Sequence, residues 1–84
     1  MIKDLIKKRL LELNPLKIEI IDQSHLHQGH QGNNGGGHFS VIVTSNEFTG
    51  KSLMERHRIV YDLVDDLIPK SIHALSIKAI SPND

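Results

Sequence analysis

Histidine is the residue type through which this 84-residue sequence could do chemistry. The chain has six histidines and no cysteine. Three of them, His25, His27 and His30, crowd one glycine-rich stretch, and His38 and His73 open two predicted strands. Imidazole is the commonest metal ligand at neutral pH, and a glycine-rich segment lets several rings converge without a preformed cavity. The pattern is compatible with metal binding, but for any one of His25, His30 or His38 a solvent-exposed histidine without a ligand is the favoured interpretation.

Two further interpretations of the histidines have to be weighed. His73 shares a predicted strand face with Leu75 and Ile77, so it could belong to the core. A zinc enzyme with three histidine ligands needs a closed site with a general base, and Asp22 is the only acid close to the histidine-rich stretch. No nucleophile and base stand at a suitable spacing either, so we expect no catalytic activity.

Cationic residues around the start of the second predicted helix form another candidate site. Lys51, Arg56 and Arg58 could contact the phosphate groups of a nucleic acid. On composition alone an ordinary solvated helix face is the favoured interpretation, because Glu47 and Glu55 dilute the positive charge, and His57 beside them is ambiguous for the same reason. Ten basic and ten acidic residues leave no net charge, so composition gives no global attraction to nucleic acid.

The tripeptide Gly50-Lys51-Ser52 matches the end of a phosphate-binding loop. That motif requires another glycine five residues before Gly50, and position 45 is Ser. Nucleotide binding is therefore disfavoured. A turn glycine followed by a helix start explains the tripeptide better.

The elements that must position these residues follow from hydrophobic periodicity. Helical spacing predicts an amphipathic helix over residues 2–13, and period-two alternation predicts strands over residues 16–22, 38–44 and 72–80. The capping-box pattern Ser52-x-x-Glu55 opens a second helix that ends before Pro69. The apolar stripe of this helix consists of Leu53, Val60, Leu63, Val64 and Leu67. Residues 23–37, rich in glycine, predict a long flexible hairpin loop that is poorly ordered over residues 28–37.

The order α-β-β-α-β predicts a single α+β domain over residues 1–84, with a three-stranded sheet and helices on one face. We expect one shared core, built from Ile18, Ile20, Phe39, Val41, Val43, Leu63, Leu67, Leu75 and Ile77. Asp62, Asp65 and Asp66 lie at the negative end of the second helix, so packing must hold that helix. The N-terminus lacks the apolar run of a secretory signal, and no segment reaches membrane-spanning length. We expect a soluble, cytoplasmic protein.

Several motifs resemble those of the BolA family. They are Phe48-Thr49-Gly50-Lys51-Ser52 and Arg56-His57-Arg58 within residues 45–61, the stretch Ile72-His73-Ala74-Leu75-Ser76-Ile77-Lys78-Ala79, and Pro82. The stretch Asp22-Gln23-Ser24-His25-Leu26-His27, followed by His38-Phe39, is also similar to the family's first hairpin. The resemblance covers nearly the whole chain. It implies a fold similar to a class II KH domain, in which some members insert a short extra helix before the last strand, where Lys70 and Ser71 would lie.

The resemblance also implies a function. Family members form heterodimers with monothiol glutaredoxins and share a two-iron two-sulfur cluster, for which the glutaredoxin cysteine and glutathione supply sulfur ligands. The BolA-like chain supplies histidine, and by this resemblance His73 and His27 are the expected ligands, with His25, His30 and His38 as alternates. The isolated protein is expected to carry no cluster, to be a monomer or weak homodimer, and to bind no membrane.

A nucleic-acid-binding transcriptional regulator is the competing hypothesis that the resemblance implies. A KH domain that grips a nucleic-acid backbone carries a Gly-x-x-Gly loop between its helices, whereas this chain has Gly50 alone at such a turn. We therefore rank DNA binding through Lys51, Arg56 and Arg58 below the glutaredoxin partnership.

Overall fold

The computed structural model describes residues 2–24 and 37–84. Its helices and strands, in chain order, are α1 (Ile2–Leu10), β1 (Lys17–Asp22), β2 (Gly37–Thr44), α2 (Leu53–Val64) and β3 (Ile72–Ile80). Short 3-10 helices cover Leu11–Leu13, Asn46–Phe48 and Asp65–Leu67. The predicted α+β order is confirmed. Neither α-helix in the described ranges is long and apolar enough to cross a membrane.

The three strands form one sheet in the order β1-β2-β3, with β1 antiparallel and β3 parallel to β2. Val41 in the middle strand lies opposite Ile20 on β1 and Ile77 on β3. Paired residues share a face of a sheet, so these three side chains point to the same side. Both helices pack against the sheet, α1 on β1 and α2 on β3.

A single core lies between the sheet and the helices, and all nine expected residues belong to it. Four of them are buried: Ile20, Phe39, Val41 and Val43. The other five are partly buried and pack against the buried core: Ile18, Leu63, Leu67, Leu75 and Ile77. The core also takes in Ile6, Leu10, Leu13, Phe48, Val60, Val64, Ile72 and Ala79. The predicted strand periodicity and helix register are thus confirmed.

Leu53 is an exception to the predicted apolar stripe of α2. Its side chain is 66% exposed, because the first turn of α2 projects beyond the core and residues 49–55 are all exposed. The capping box at this turn is confirmed: the Ser52 hydroxyl accepts from the Glu55 N–H, and the Glu55 carboxylate accepts from the Ser52 N–H. Gly50 has a φ of 76°, so it is the expected turn glycine.

Both helices are shorter than their apolar patterns. The last residues of the first pattern form the 3-10 turn Leu11–Leu13, which ends when Asn14 adopts a left-handed conformation and its N–H donates to the Leu11 carbonyl. The pattern of the second helix likewise finishes in the 3-10 turn Asp65–Leu67. Lys70 and Ser71 lie in the turn that follows, and not in an extra helix.

The predicted hairpin loop over residues 23–37 is described only at its two ends. Gly37 is already the first residue of β2, so the loop is shorter there than predicted. His25, His27 and His30, and the expected poor order of residues 28–36, lie outside the described residues.

Candidate histidine site

The site begins with an irregularity where β2 and β3 first meet. Gly37 pairs with Ile72, but the next residue, His38, pairs with Ala74. His73 is therefore an extra residue on β3 without a counterpart on β2, which is the arrangement of a β-bulge. The remaining pairs continue in regular register to the end of both strands.

This bulge determines where the His73 side chain lies. Ile72 on one side of the bulge is fully buried, and Leu75 on the other side packs against the core, while His73 and Ala74 are exposed. Simple alternation places His73 on the face of Leu75, but the extra residue breaks that alternation. The core alternative for His73 is therefore wrong, and its imidazole is accessible to a partner.

The bulge brings the rings of His73 and His38 together. Their ring centroids are 5.0 Å apart and the ring planes are inclined by 41°. Two residues that follow β1 fix the backbone of His38, because its carbonyl accepts from the Gln23 N–H at 2.7 Å and its N–H donates to the Ser24 hydroxyl at 3.0 Å. One half-buried histidine and one exposed histidine thus stand side by side at the start of two strands.

The close packing around position 37 requires a residue without a Cβ atom, and this residue is Gly37. A Cβ atom at position 37 would collide with the ring of Phe39 and come within 3.1 Å of the Ser24 hydroxyl oxygen. The Gly37 N–H also donates to the Ser71 carbonyl at 3.0 Å, which ties the start of β2 to the residue before β3. A side chain at this position would displace the Phe39 ring and crowd the Ser24 hydroxyl, which accepts from the His38 N–H.

Two neutral imidazoles are suitable ligands for a metal ion that completes its coordination elsewhere. Metal–nitrogen bonds are about 2 Å long, so neighbouring rings can each direct a nitrogen at one ion. In the described ranges 2–24 and 37–84, no three histidine, cysteine or acidic residues are grouped to hold a metal. The described residues bring together two histidines, and the positions of His25, His27 and His30 lie outside them.

The cationic candidates occupy different environments. Lys51 and Arg58 are exposed near the start of α2. Arg56 is not free: its Nη1 and Nη2 atoms bind the two oxygens of Asp84 at 2.7 and 3.0 Å, and Nη1 also donates to the Ala79 carbonyl at 3.2 Å. Hydrogen bonding to Arg56 lowers the pKa of the Asp84 carboxyl. Arg56 thus fastens α2 to the end of β3, a role that its sequence position did not indicate.

His57 does not join the other described histidines. Its Nε2 atom is buried and has no hydrogen-bond partner within the described part of the chain. It lies in the middle of α2, whereas His38 and His73 stand at strand starts. The structure therefore brings together two of the described histidines and keeps the third apart.

Comparisons with known proteins connect this geometry to a family. The family model for BolA-like protein matches residues 10–84. SufE-like protein 1, chloroplastic/mitochondrial, from Arabidopsis thaliana is 43% identical over 77 residues, which are 84% of this chain and 21% of that protein. Protein BOLA1, chloroplastic, from the same plant is 39% identical over 77 residues, which are 87% of this chain and 48% of that protein. The chain thus spans less than half of either plant protein.

A bacterial relative and two solved structures agree with these matches. The DNA-binding transcriptional regulator BolA of Escherichia coli is 31% identical over 78 residues, which are 92% of this chain and 72% of that protein. The BolA domain of SufE1 from Arabidopsis thaliana superimposes with a TM-score of 0.84 at 40% identity, covering 96% of this chain and 92% of that one. BolA1 from Arabidopsis thaliana gives a TM-score of 0.82 at 31% identity, covering 98% and 93%. The chain belongs to the BolA-like protein family.

Proposed function

We propose that this protein is a non-catalytic partner of a monothiol glutaredoxin and shares a two-iron two-sulfur cluster with it for cluster assembly, transfer or iron signalling. The observation that carries the proposal is the pair of adjacent imidazoles, His38 and His73, at the accessible start of β2 and β3. The chain has no cysteine, so the glutaredoxin cysteine and glutathione supply the sulfur ligands. We place this activity in the cytoplasm, in keeping with a small cysteine-free domain.

His73 is the first of the two proposed ligands on this chain, because it is exposed on a bulge that the sheet holds in place. The second is His27. It belongs to the segment that connects the end of β1 to the start of β2, and both of those ends lie where His73 lies. His25 and His30 share that segment, and His38 adjoins His73 directly. These three histidines are the alternates for the second position.

Histidine ligation has a physical consequence for this pairing. Two neutral imidazoles in place of two thiolates make a cluster less negative and raise its reduction potential. Protons also compete with the metal for imidazole nitrogens, so binding weakens in mild acid. A cluster held in this way would be labile, which suits transfer to another protein.

Reconstitution with His73→Ala tests the proposal. The protein is mixed anaerobically with a monothiol glutaredoxin, glutathione, ferrous iron and sulfide, and the products are followed by visible circular dichroism and native mass spectrometry. The unaltered protein should give a cluster-bearing heterodimer. His73→Ala should leave an apo heterodimer or return the cluster to the glutaredoxin homodimer. Ser76→Ala, an exposed position on the same strand, is the matched control and should behave as the unaltered protein.

The second ligand is identified by three further variants in the same assay. If His27 is the ligand, His27→Ala should be partly rescued by its neighbours, and replacement of His25, His27 and His30 together should abolish the heterodimer's spectrum. If His38→Ala alone has that effect, the described ring pair is the ligand set. A spectrum and stability unaltered by His73→Ala would refute the ligand assignment.

Nucleic-acid binding is the second candidate function, and it is favoured by the relationship to the Escherichia coli protein named as a DNA-binding transcriptional regulator. Lys51 and Arg58 are exposed and available for phosphate, whereas Arg56 would first have to leave Asp84. Binding of duplex DNA should therefore be weak and steeply dependent on salt. Sequence-specific binding that tolerates salt, measured by fluorescence anisotropy, would place this function first.

A further inference from the structure

Within residues 2–24 and 37–84, no strand lies beside the outer edge of β1. β1 is an edge strand of the described sheet. The Gln23 N–H donates to the His38 carbonyl, so the backbone of Gln23 faces β2. In an antiparallel pair every second residue bonds to the partner strand. The register therefore makes Lys17, Glu19 and Ile21 the residues of β1 that bond to β2. The backbone groups of the residues between them point away from β2.

The opposite side of β2 agrees with this assignment. The N–H groups of Gly37 and Ser45 donate toward β3, to the carbonyls of Ser71 and Ile80. Odd-numbered residues of β2 therefore face β3, and even-numbered residues such as His38 face β1. It follows that Ile18 and Ile20 present their N–H and C=O groups at the free edge.

A groove of about 340 Å³ runs along this edge, between α1 and β1. Ile18 and Ile20 line it from the strand, and Lys3, Asp4 and Lys7 line it from the helix. The backbone donors and acceptors along it suit an extended chain that adds a strand to the sheet.

The charges of the groove indicate the kind of chain. Lys3 and Lys7 are four residues apart on α1, so they share one helix face, and both are exposed. Neither forms a salt bridge with a described residue. Asp4 contributes one negative charge, which leaves the lining with an excess of one positive charge. The groove is therefore electrostatically complementary to carboxylates.

We propose that this groove is a docking site for an extended acidic segment of a partner protein, which pairs with the free edge of β1 and places carboxylates against Lys3 and Lys7. Lysines beside an open edge also oppose pairing with strands that bring no negative charge. A second copy of this chain is a poorer occupant, because it carries the same lysines to the same edge and like charges repel. The two lysines thus select the partner as well as attract it.

A capped peptide of alternating glutamate and valine is the probe. Such a strand places every carboxylate on one face, toward α1, and every valine on the other. Titration into the isotopically labelled protein should give saturable amide shifts at Ile18 and Ile20 and slow their hydrogen exchange. Two matched peptides should not bind: one with lysine in place of glutamate, and one N-methylated at every second backbone nitrogen so that strand pairing is blocked.

Protein variants test the electrostatic part of the proposal. Lys3→Gln combined with Lys7→Gln should weaken binding about fivefold, as expected for the loss of two exposed ion pairs. Asp4→Asn should strengthen binding, and Lys70→Gln, an exposed lysine in the turn before β3, should leave it unchanged.

Several results would overturn the proposal. They are shifts confined to other elements, equal binding of the N-methylated or lysine peptide, absence of saturable binding, and a peptide-independent dimer whose amide shifts map to β1. The last of these would assign the edge to a second copy of the chain. None of these outcomes depends on the histidines, so the test is independent of the cluster assay.

Discussion

Arg9 on α1 and Asp66 just beyond α2 form a bidentate ion pair, with Nη1–Oδ1 and Nη2–Oδ2 distances of 2.7 and 3.0 Å. Nη1 also donates to the Leu63 carbonyl at 2.9 Å, in the last turn of α2, where carbonyls lack partners within the helix. Arg9 therefore compensates part of the unfavourable negative charge at that helix end. Packing is not the only interaction that holds α2 in place.

The Arg9–Asp66 pair should make stability depend on acid. Hydrogen bonding to Arg9 lowers the pKa of the Asp66 carboxyl in the folded protein. A carboxyl whose folded pKa lies below its unfolded value of about 4 stabilises the fold above that value, and the contribution is lost as pH falls through the folded pKa. Asp66→Asn should therefore lower Tm at about pH 7 and lower it less at about pH 2. Thermal unfolding followed by circular dichroism measures both values.

Asp62→Asn is the control for that experiment, because Asp62 is an exposed acid of the same helix end that forms no salt bridge with a described residue. It should leave Tm unchanged or raise it slightly, since it removes negative charge from the negative end of the helix. The same loss of Tm for Asp66→Asn at both pH values would contradict the electrostatic account.

Two leucines of α2 test the register of that helix. Leu63 packs against the core, whereas Leu53 is 66% exposed. Leu63→Ala should lower the free energy of unfolding by about 2 kcal/mol through lost burial and the cavity it leaves. The chemically identical change Leu53→Ala should cost less than about 0.5 kcal/mol. Urea unfolding measures both, and equal costs would mean that the helix presents a different face to the sheet.

Ser45 is a buried polar residue whose hydroxyl has two partners. Its Oγ donates to the Leu13 carbonyl at 2.6 Å and accepts from the Glu47 N–H at 3.1 Å. Ser45→Ala leaves a buried carbonyl unsatisfied, so the free energy of unfolding should fall by about 1–3 kcal/mol. Urea denaturation of this variant beside Ser76→Ala, which changes an exposed serine, separates the effect from a generic loss of a hydroxyl. Equal stability of the two variants would contradict the proposed role.

Gly37 and Gly50 should respond differently to alanine. At Gly50 an added Cβ meets nothing within 4 Å, so only the strain of its positive φ remains, about 1 kcal/mol. At Gly37 the added atom collides with the Phe39 ring, so the loss of stability should be larger. Gly37→Ala should also shift the imidazole NMR signals of His38 and His73, whereas Gly50→Ala should not. Unperturbed imidazole signals in Gly37→Ala would show that the histidine pair does not depend on this contact.

Much of the fold could be predicted because its pattern is local. The alternation over residues 72–80 gave the bounds of β3 correctly, and the capping box located the start of α2 within one residue. The bulge at His73 could not be predicted, because the alternating pattern assumes that each residue of one strand pairs with one residue of the other. No local sequence signal marks the extra residue. The Arg56–Asp84 contact was missed for another reason. The two residues are 28 positions apart and meet only after α2 packs on β3.

The extra residue at His73 has a consequence for how this domain can change. Because His73 has no counterpart on β2 and lies outside the core, its side chain is not required to hold the strand. Ile72 and Leu75 fix the sheet on either side of it. The strand thus separates the position that a partner encounters from the positions that keep the chain folded. Substitutions at residue 73 can therefore change the binding of a partner during evolution while every intermediate sequence still folds.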